Sequence, residues 1–120
     1  MRTSYSTNEE LQALIAELRK AASDKKAPIW KRIASDLSKP TRQRRVVNLS
    51  RIDRYTGDND IVIVPGKVLS SGELTHKVHV AAFTFSNQAK EKIAKAQGSA
   101  VSIAELLQKN PDGKKVKIIG

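Results

Sequence analysis

The 120-residue chain contains no cysteine. That excludes a disulfide framework, thiolate metal sites and thiol catalysis, and it fits a reducing compartment. Aromatics are scarce, at 4%, so a core has to be assembled from Ile, Val, Leu and Ala. No apolar run approaches the roughly 18 residues needed to cross a bilayer. The opening MRTSYSTNEE lacks the apolar stretch of a signal peptide. The expectation is a cytoplasmic protein with no membrane association. Acids are also few: 12 Asp and Glu stand against 22 Lys and Arg, leaving a formal net charge of +10.

So large a positive excess on a single-domain length asks for a polyanion, and nucleic acid is the first choice. The cations are unevenly made. Every arginine lies between Arg2 and Arg54, and from Lys67 onward the chain uses lysine. Arginine presents a planar fork that grips phosphate bidentately, whereas lysine is a rotating point charge. The first half is therefore the part expected to make defined polar contacts.

Within it, PTRQRRVVNLSRIDRY (40–55) concentrates Arg42, Arg44, Arg45, Arg51 and Arg54 with a single acid, Asp53. Val46, Val47, Leu49 and Ile52 are interleaved among them. Apolar residues of this kind anchor a segment to the core and leave the cations facing outward. Thr41, Gln43 and Asn48 add neutral groups able to reach sugars or base edges. A platform of this kind suits phosphates held in a folded geometry.

Spacing predicts the elements. Leu11, Leu14, Ile15, Leu18 and Ala22 form the stripe of a helix over 7–24, with Ser6/Glu9 or Thr7/Glu10 as a capping box. Pro28 opens a second helix with Ile29, Trp30, Ile33, Ala34 and Leu37 inward, and Pro40 closes it. Trp30 is expected in the core. A short strand follows at Val46–Leu49, then a helical turn capped by Ser50 and running through Arg54. Ile61–Val64 reads as a strand buried on both faces and ended by Pro65-Gly66. Val78–Phe83 is another strand. Helices are expected from Asn87 to Ala96, capped by Ser86 and stopped by Gly98, and from Ser102. A last strand takes in Val116, Ile118 and Ile119. The order defines an α/β domain.

Catalytic constellations fail one by one. His76 and His79 lie three apart in an extended stretch and point to opposite faces, so they do not share a metal. Gly66-Lys67 lacks the earlier glycine of a phosphate-binding loop, and Val68 stands where that motif needs Ser or Thr. The acids are scattered, with no pair set for acid–base work. A small hydrolase or transferase using His76 or His79 is the rival from another class, and a free-standing RNA- or DNA-binding regulator is the nearer one. No enzyme activity, cofactor, metal or small-molecule substrate is expected. No helix carries the basic, amide-rich face of a major-groove reader, and no sheet carries an aromatic RNA platform.

VPGKVLSSGELTHKVHVAAFTFSNQAKEKI (64–93), preceded by RRVVNLSRI (44–52), resembles the archaeal and eukaryotic large-subunit ribosomal protein family eighteen-e, a relative of bacterial large-subunit protein fifteen. The short length looks archaeal. Gln97-Gly98 departs from the Gly-Gly pair usual in that family. The resemblance implies an irregular ββα superhelix core over about 44–120, with an N-terminal helical part over about 7–39, in one domain. It implies a structural role on the ribosome, binding folded large-subunit ribosomal RNA beside neighbouring ribosomal proteins. Carried onto this chain, the RNA-facing positions are Thr41, Arg42, Gln43, Arg44, Arg45, Asn48, Arg51 and Arg54. The Gly66-Lys67 turn and Thr75, His76 and Lys77 join them, with Arg2 and Lys39 as further cations.

Overall fold

A computed structural model describes residues 8–39 and 45–119, with the side chains of Asn8 and Arg45 outside that description. The first helix, α1 (Asn8–Asp24), buries Leu14, Ile15 and Leu18, and Leu11 and Ala22 pack at its margin. Its acids Glu9 and Glu10 occupy the first turn, but no cation occupies the last; Arg19 and Lys20 stop short of it. The capping box expected at Ser6 or Thr7 lies outside the described residues. The second helix, α2 (Pro28–Leu37), starts at Pro28 and buries Trp30, Ile33, Ala34 and Leu37. It ends before the proline at 40, where the Ser38 hydroxyl and N–H both return to the Ala34 carbonyl. Trp30 is fully buried and donates its indole N–H to the Pro111 carbonyl at 2.7 Å. That bond satisfies the one polar atom of the largest core side chain.

The rest of the chain runs β1 (Arg45–Asn48), α3 (Leu49–Tyr55), β2 (Asp60–Leu69), β3 (Val78–Phe85), α4 (Asn87–Lys95), β4 (Ser99–Ser102), α5 (Ile103–Lys109) and β5 (Val116–Ile118). Every strand pairing is parallel. The order across the sheet is β1-β2-β3-β4, and β5 also pairs with β2. The first half of β2, Ile61–Ile63, pairs with β5, and its second half, Gly66–Leu69, pairs with β1. The α/β class expected from the element order is the observed architecture.

The β-branched run is buried on both faces, as a sheet covered on each side requires. Ile63, Ala81 and Phe83 face α1, α2 and α5. Val62, Val64, Val80 and Ala82 face the opposite cluster, with Leu49 and Ile52 of α3 and Ala89 and Ile93 of α4.

Three expectations need correction. Pro65-Gly66 does not end a strand. Beyond Val64↔Ala82 the register resumes at Lys67↔Thr84, so β2 carries an extra residue there. Among the described residues Pro65 pairs with neither neighbour, which is how a residue without an N–H is tolerated inside a sheet. The Gly66-Lys67 turn is therefore strand. Second, α3 begins two residues earlier than expected: Asn48, not Ser50, is its N-cap, and no side chain caps it. Third, β4 was not among the expected strands; Ser99–Ser102 is short, and all four residues are only partly buried.

The connection from β2 to β3 is only residues 70–77. Parallel neighbours are usually joined by a dozen or more residues, most often including a helix. Eight residues reach about 26 Å when extended, roughly the length of an eight-residue strand. The return segment therefore crosses the sheet almost straight, and its backbone polar groups need partners from whatever it crosses.

Candidate nucleic-acid interface

What it crosses is the face that carries α3 and α4. Leu74 packs into the cluster formed by Leu49, Ile52, Ala89 and Ile93. On one side Ser50 donates its N–H to the Ser71 carbonyl at 3.1 Å. On the other, the Lys92 ammonium donates to the Ser70 and Gly72 carbonyls at 3.0 and 2.9 Å, with Glu73 3.4 Å away. Gly72 has φ +91°, and a Cβ there would lie 2.4 Å from Ser50 Cβ. The segment needs glycine at that crossing for both reasons.

Its second half is pinned by acids. Asp53 Oδ1 accepts the Thr75 N–H at 2.8 Å and the Thr75 hydroxyl at 2.7 Å. The Thr75 backbone N–H most of all, then the Thr75 hydroxyl and the neighbouring His76 ring, outweigh desolvation and hold the Asp53 carboxyl below its ordinary range. His76 Nδ1 lies 3.2 Å from the same oxygen, an ion pair whenever the ring is protonated. Its Nε2 meets the Thr56 hydroxyl at 2.8 Å. That hydroxyl gives its single proton to the Ile52 carbonyl at 2.6 Å, so the ring donates to it. Asp58 accepts the Lys77 N–H at 3.1 Å, and the Asn59 N–H returns to the Lys77 carbonyl.

The helix α3 has seven residues, too few to persist alone in water. Burial of Leu49 and Ile52 from below, and the extended segment alongside, hold it in place. Arg51 and Arg54 are exposed on it. Asp53, their neighbour in sequence, is turned to Thr75 and His76. Among the described residues neither arginine has a carboxylate partner; the ion pairs there are Lys39–Asp36, His76–Asp53, Lys92–Glu73 and Lys117–Asp60. Lys67 and Lys77 are likewise exposed and unpaired among the described residues.

The expected contact residues thus separate. Arg51, Arg54, Thr75, His76 and Lys77 are brought together, but the Thr75 and His76 side chains spend their polar atoms on Asp53 and Thr56. Asn48 is half-buried at the start of α3. Lys67 stands on β2 in register with Val46, which is 60% exposed. Lys39 follows α2 and is engaged by Asp36 at 3.3 Å. Arg2, Thr41, Arg42, Gln43 and Arg44 lie outside the described residues, as does the side chain of Arg45. Asp53 and Thr56, which organise this group, carried no signal beyond being polar. Tyr55, 52% exposed with the Arg51 guanidinium 5.2 Å from its ring centre, was not singled out either.

Among the described residues nothing comparable is set for catalysis. His79 Nδ1 bonds Ser99 Oγ at 2.8 Å and ties β3 to β4, apart from His76. Among the described residues no group of His, Asp and Glu could hold a metal. A shallow crevice of about 560 Å³ at the α1–α2 elbow is lined by Arg19, Ala22, Ser23, Lys26, Pro28 and Lys31, without an acid or histidine. Among the described residues no helix is long and apolar enough to cross a membrane.

A small basic α/β domain with unpaired cations on a braced surface, and no acid–base pair in its crevice, falls in the class of structural binding proteins. The family described as "Ribosomal protein 60S L18 and 50S L18e" matches residues 1–120, and the chain belongs to it. It is 45% identical over 113 residues to "Large ribosomal subunit protein eL18" of Methanothermobacter thermautotrophicus, covering 94% of this chain and 93% of that one. The protein of the same name from Halobacterium salinarum is 47% identical over 113 residues, 94% of this chain and 97% of that one. The Methanococcus maripaludis protein is 43% identical over 119 residues, 99% of each chain. This is a family of ribosomal proteins, not of enzymes.

Proposed function

We propose that the chain is a structural constituent of the large ribosomal subunit in the cytoplasm, and that it binds folded large-subunit ribosomal RNA through an arginine- and lysine-rich surface centred on α3. The carrying observation is the set of exposed cations Arg51, Arg54, Lys67 and Lys77, unpaired among the described residues. They belong to a chain of 22 lysines and arginines against 12 acids, net charge +10. The mechanism is electrostatic and geometric. Cations already held in position release the counterions condensed on the phosphates, and little ordering entropy is lost on binding. Thr75 and His76 contribute by bracing α3, and the RNA-facing set extends to Arg2, Lys39, Thr41, Arg42, Gln43, Arg44, Arg45 and Asn48. Neighbouring large-subunit proteins pack alongside.

Filter binding of the chain to ribosomal RNA from large subunits tests this. Affinity should fall steeply between about 50 and 200 mM salt. The double variant Arg51→Ala/Arg54→Ala should bind more weakly and lower the slope of log affinity against log salt by about two, with an unchanged circular-dichroism melt. Affinity indifferent to salt would overturn the reading.

A further inference from the structure

The described aromatics sort into two groups. Trp30 and Phe83 are buried and Phe85 is partly buried in the cores. Tyr55 is not: 52% of it is exposed, and Val46 is the other large apolar side chain left in that state. The Tyr55 hydroxyl makes no hydrogen bond among the described residues, so the ring is not held outward by its polar end. It carries instead the Arg51 guanidinium, 5.2 Å from the ring centre and four residues back on the same helix face.

We propose that Tyr55 and Arg51 form a stacking site for one unpaired base of RNA on the exposed face of α3. The chemistry is that of a flat, electron-rich ring with a flat cation beside it. A nucleobase removed from a helix stack gains from both, since it has a π-face for the tyrosine and for the guanidinium plane. Arg54, three residues from Arg51 and exposed on the same helix, is placed for the phosphate of that nucleotide or its neighbour. The nearby acid, Asp53, keeps its charge but directs it at the Thr75 N–H and hydroxyl, and among the described residues it pairs with neither Arg51 nor Arg54. The helix is braced by Leu49, Ile52 and the 70–77 segment, so the ring is presented without a further ordering cost. A protein partner for the same patch is the competing outcome, disfavoured by an arginine-bearing helix whose one acid, Asp53, is engaged by Thr75 and His76.

The inference rests on the RNA-binding reading above, and the test separates the two. The probe is ribosomal RNA from large subunits, bound at one fixed moderate salt concentration and across a salt series. Tyr55→Phe keeps the ring and should bind within about twofold of the parent. Tyr55→Leu and Tyr55→Gln remove it and should bind about tenfold more weakly. Their salt slope should not change, since no charge is lost, whereas Arg54→Ala should lower the slope by about one. Affinities are taken from whichever ring-less variant keeps the parental melt. If that variant binds like the parent while Arg54→Ala weakens binding, RNA binding stands and stacking is overturned. If the parent itself does not bind the RNA, both fall.

Discussion

Gln97 holds a φ of 64°, a conformation in which an L side chain crowds its own backbone. Its neighbour Gly98 has ordinary φ but no room, because a Cβ there would stand 2.1 Å from the Val78 carbonyl oxygen. The two residues that end α4 thus need glycine for different reasons, and this chain meets only the second. A glycine at each position would answer both. Gln97→Gly should raise stability by about 0.5–1 kcal/mol, reduced somewhat by the freedom glycine adds to the unfolded chain. Gly98→Ala should cost about 1–3 kcal/mol, because backbone rather than a flexible side chain must move. Paired urea melts of the two variants check the opposite signs. From sequence alone Gly98 reads as a helix stop; that it is a close approach between α4's end and β3 depends on packing.

At the scale of elements, the least expected piece is the 70–77 segment. The sequence marks Ser70-Ser71-Gly72 as a turn and nothing more. In the fold it is a straight crossing that replaces a helix between two parallel strands. Its polar backbone is satisfied by side chains borrowed from α3, the 56–59 turn and Lys92. Asp53 is the principal lender. Asp53→Ala leaves the Thr75 N–H and hydroxyl without their acceptor, and at this partly exposed place the cost should be about 1 kcal/mol. Native-state hydrogen exchange should show faster exchange at Thr75 and through α3, with α1 and α2 unaffected. Uniform acceleration across the whole chain would mean that the segment and α3 do not form a separable unit. The helices were readable because their apolar residues repeat at three and four. The strand β4 was not, because Ser99 and its neighbours are small, half-buried and without alternation. The continuity of β2 through Pro65-Gly66 was hidden for a related reason: a proline and glycine inside a strand are tolerated only at an irregularity that its neighbours create.

For the whole molecule, the wholly parallel sheet between two layers of helices explains the low aromatic content. Each face needs branched aliphatic residues of modest size packed at strand spacing, and Trp30 packs with Ile29 beneath the 110–113 turn. Acid should unfold the protein through two identified carboxyls. The Gly57 N–H first, then Lys117, hold the Asp60 carboxyl below its ordinary range, as Thr75 does for Asp53. A carboxyl lowered in the folded state contributes stability that is fully present above its unfolded value. That contribution disappears as pH falls through the folded value. Thermal midpoints should therefore be steady at neutral pH and drop below about pH 4. Asp53→Asn, which loses the charge but keeps an acceptor, should show a shallower drop in a pH series of melts.

The composition and spacing determined a good deal: the excess of cations, the amphipathic faces of α1 and α2, the doubly buried run at Ile61–Val64, the Ser86-capped start of α4 and the helix beginning about Ser102. Each is a local matter, settled by charge counting or by residues within a turn or two of one another. Which arginines stand unpaired among the described residues, that Thr75 and His76 are engaged by Asp53 and Thr56, and that Tyr55 lies open beside Arg51 were decided by tertiary structure. They depend on a return segment meeting α3 from about twenty residues away in sequence, and no local pattern records which partners will be near enough to claim a carboxylate.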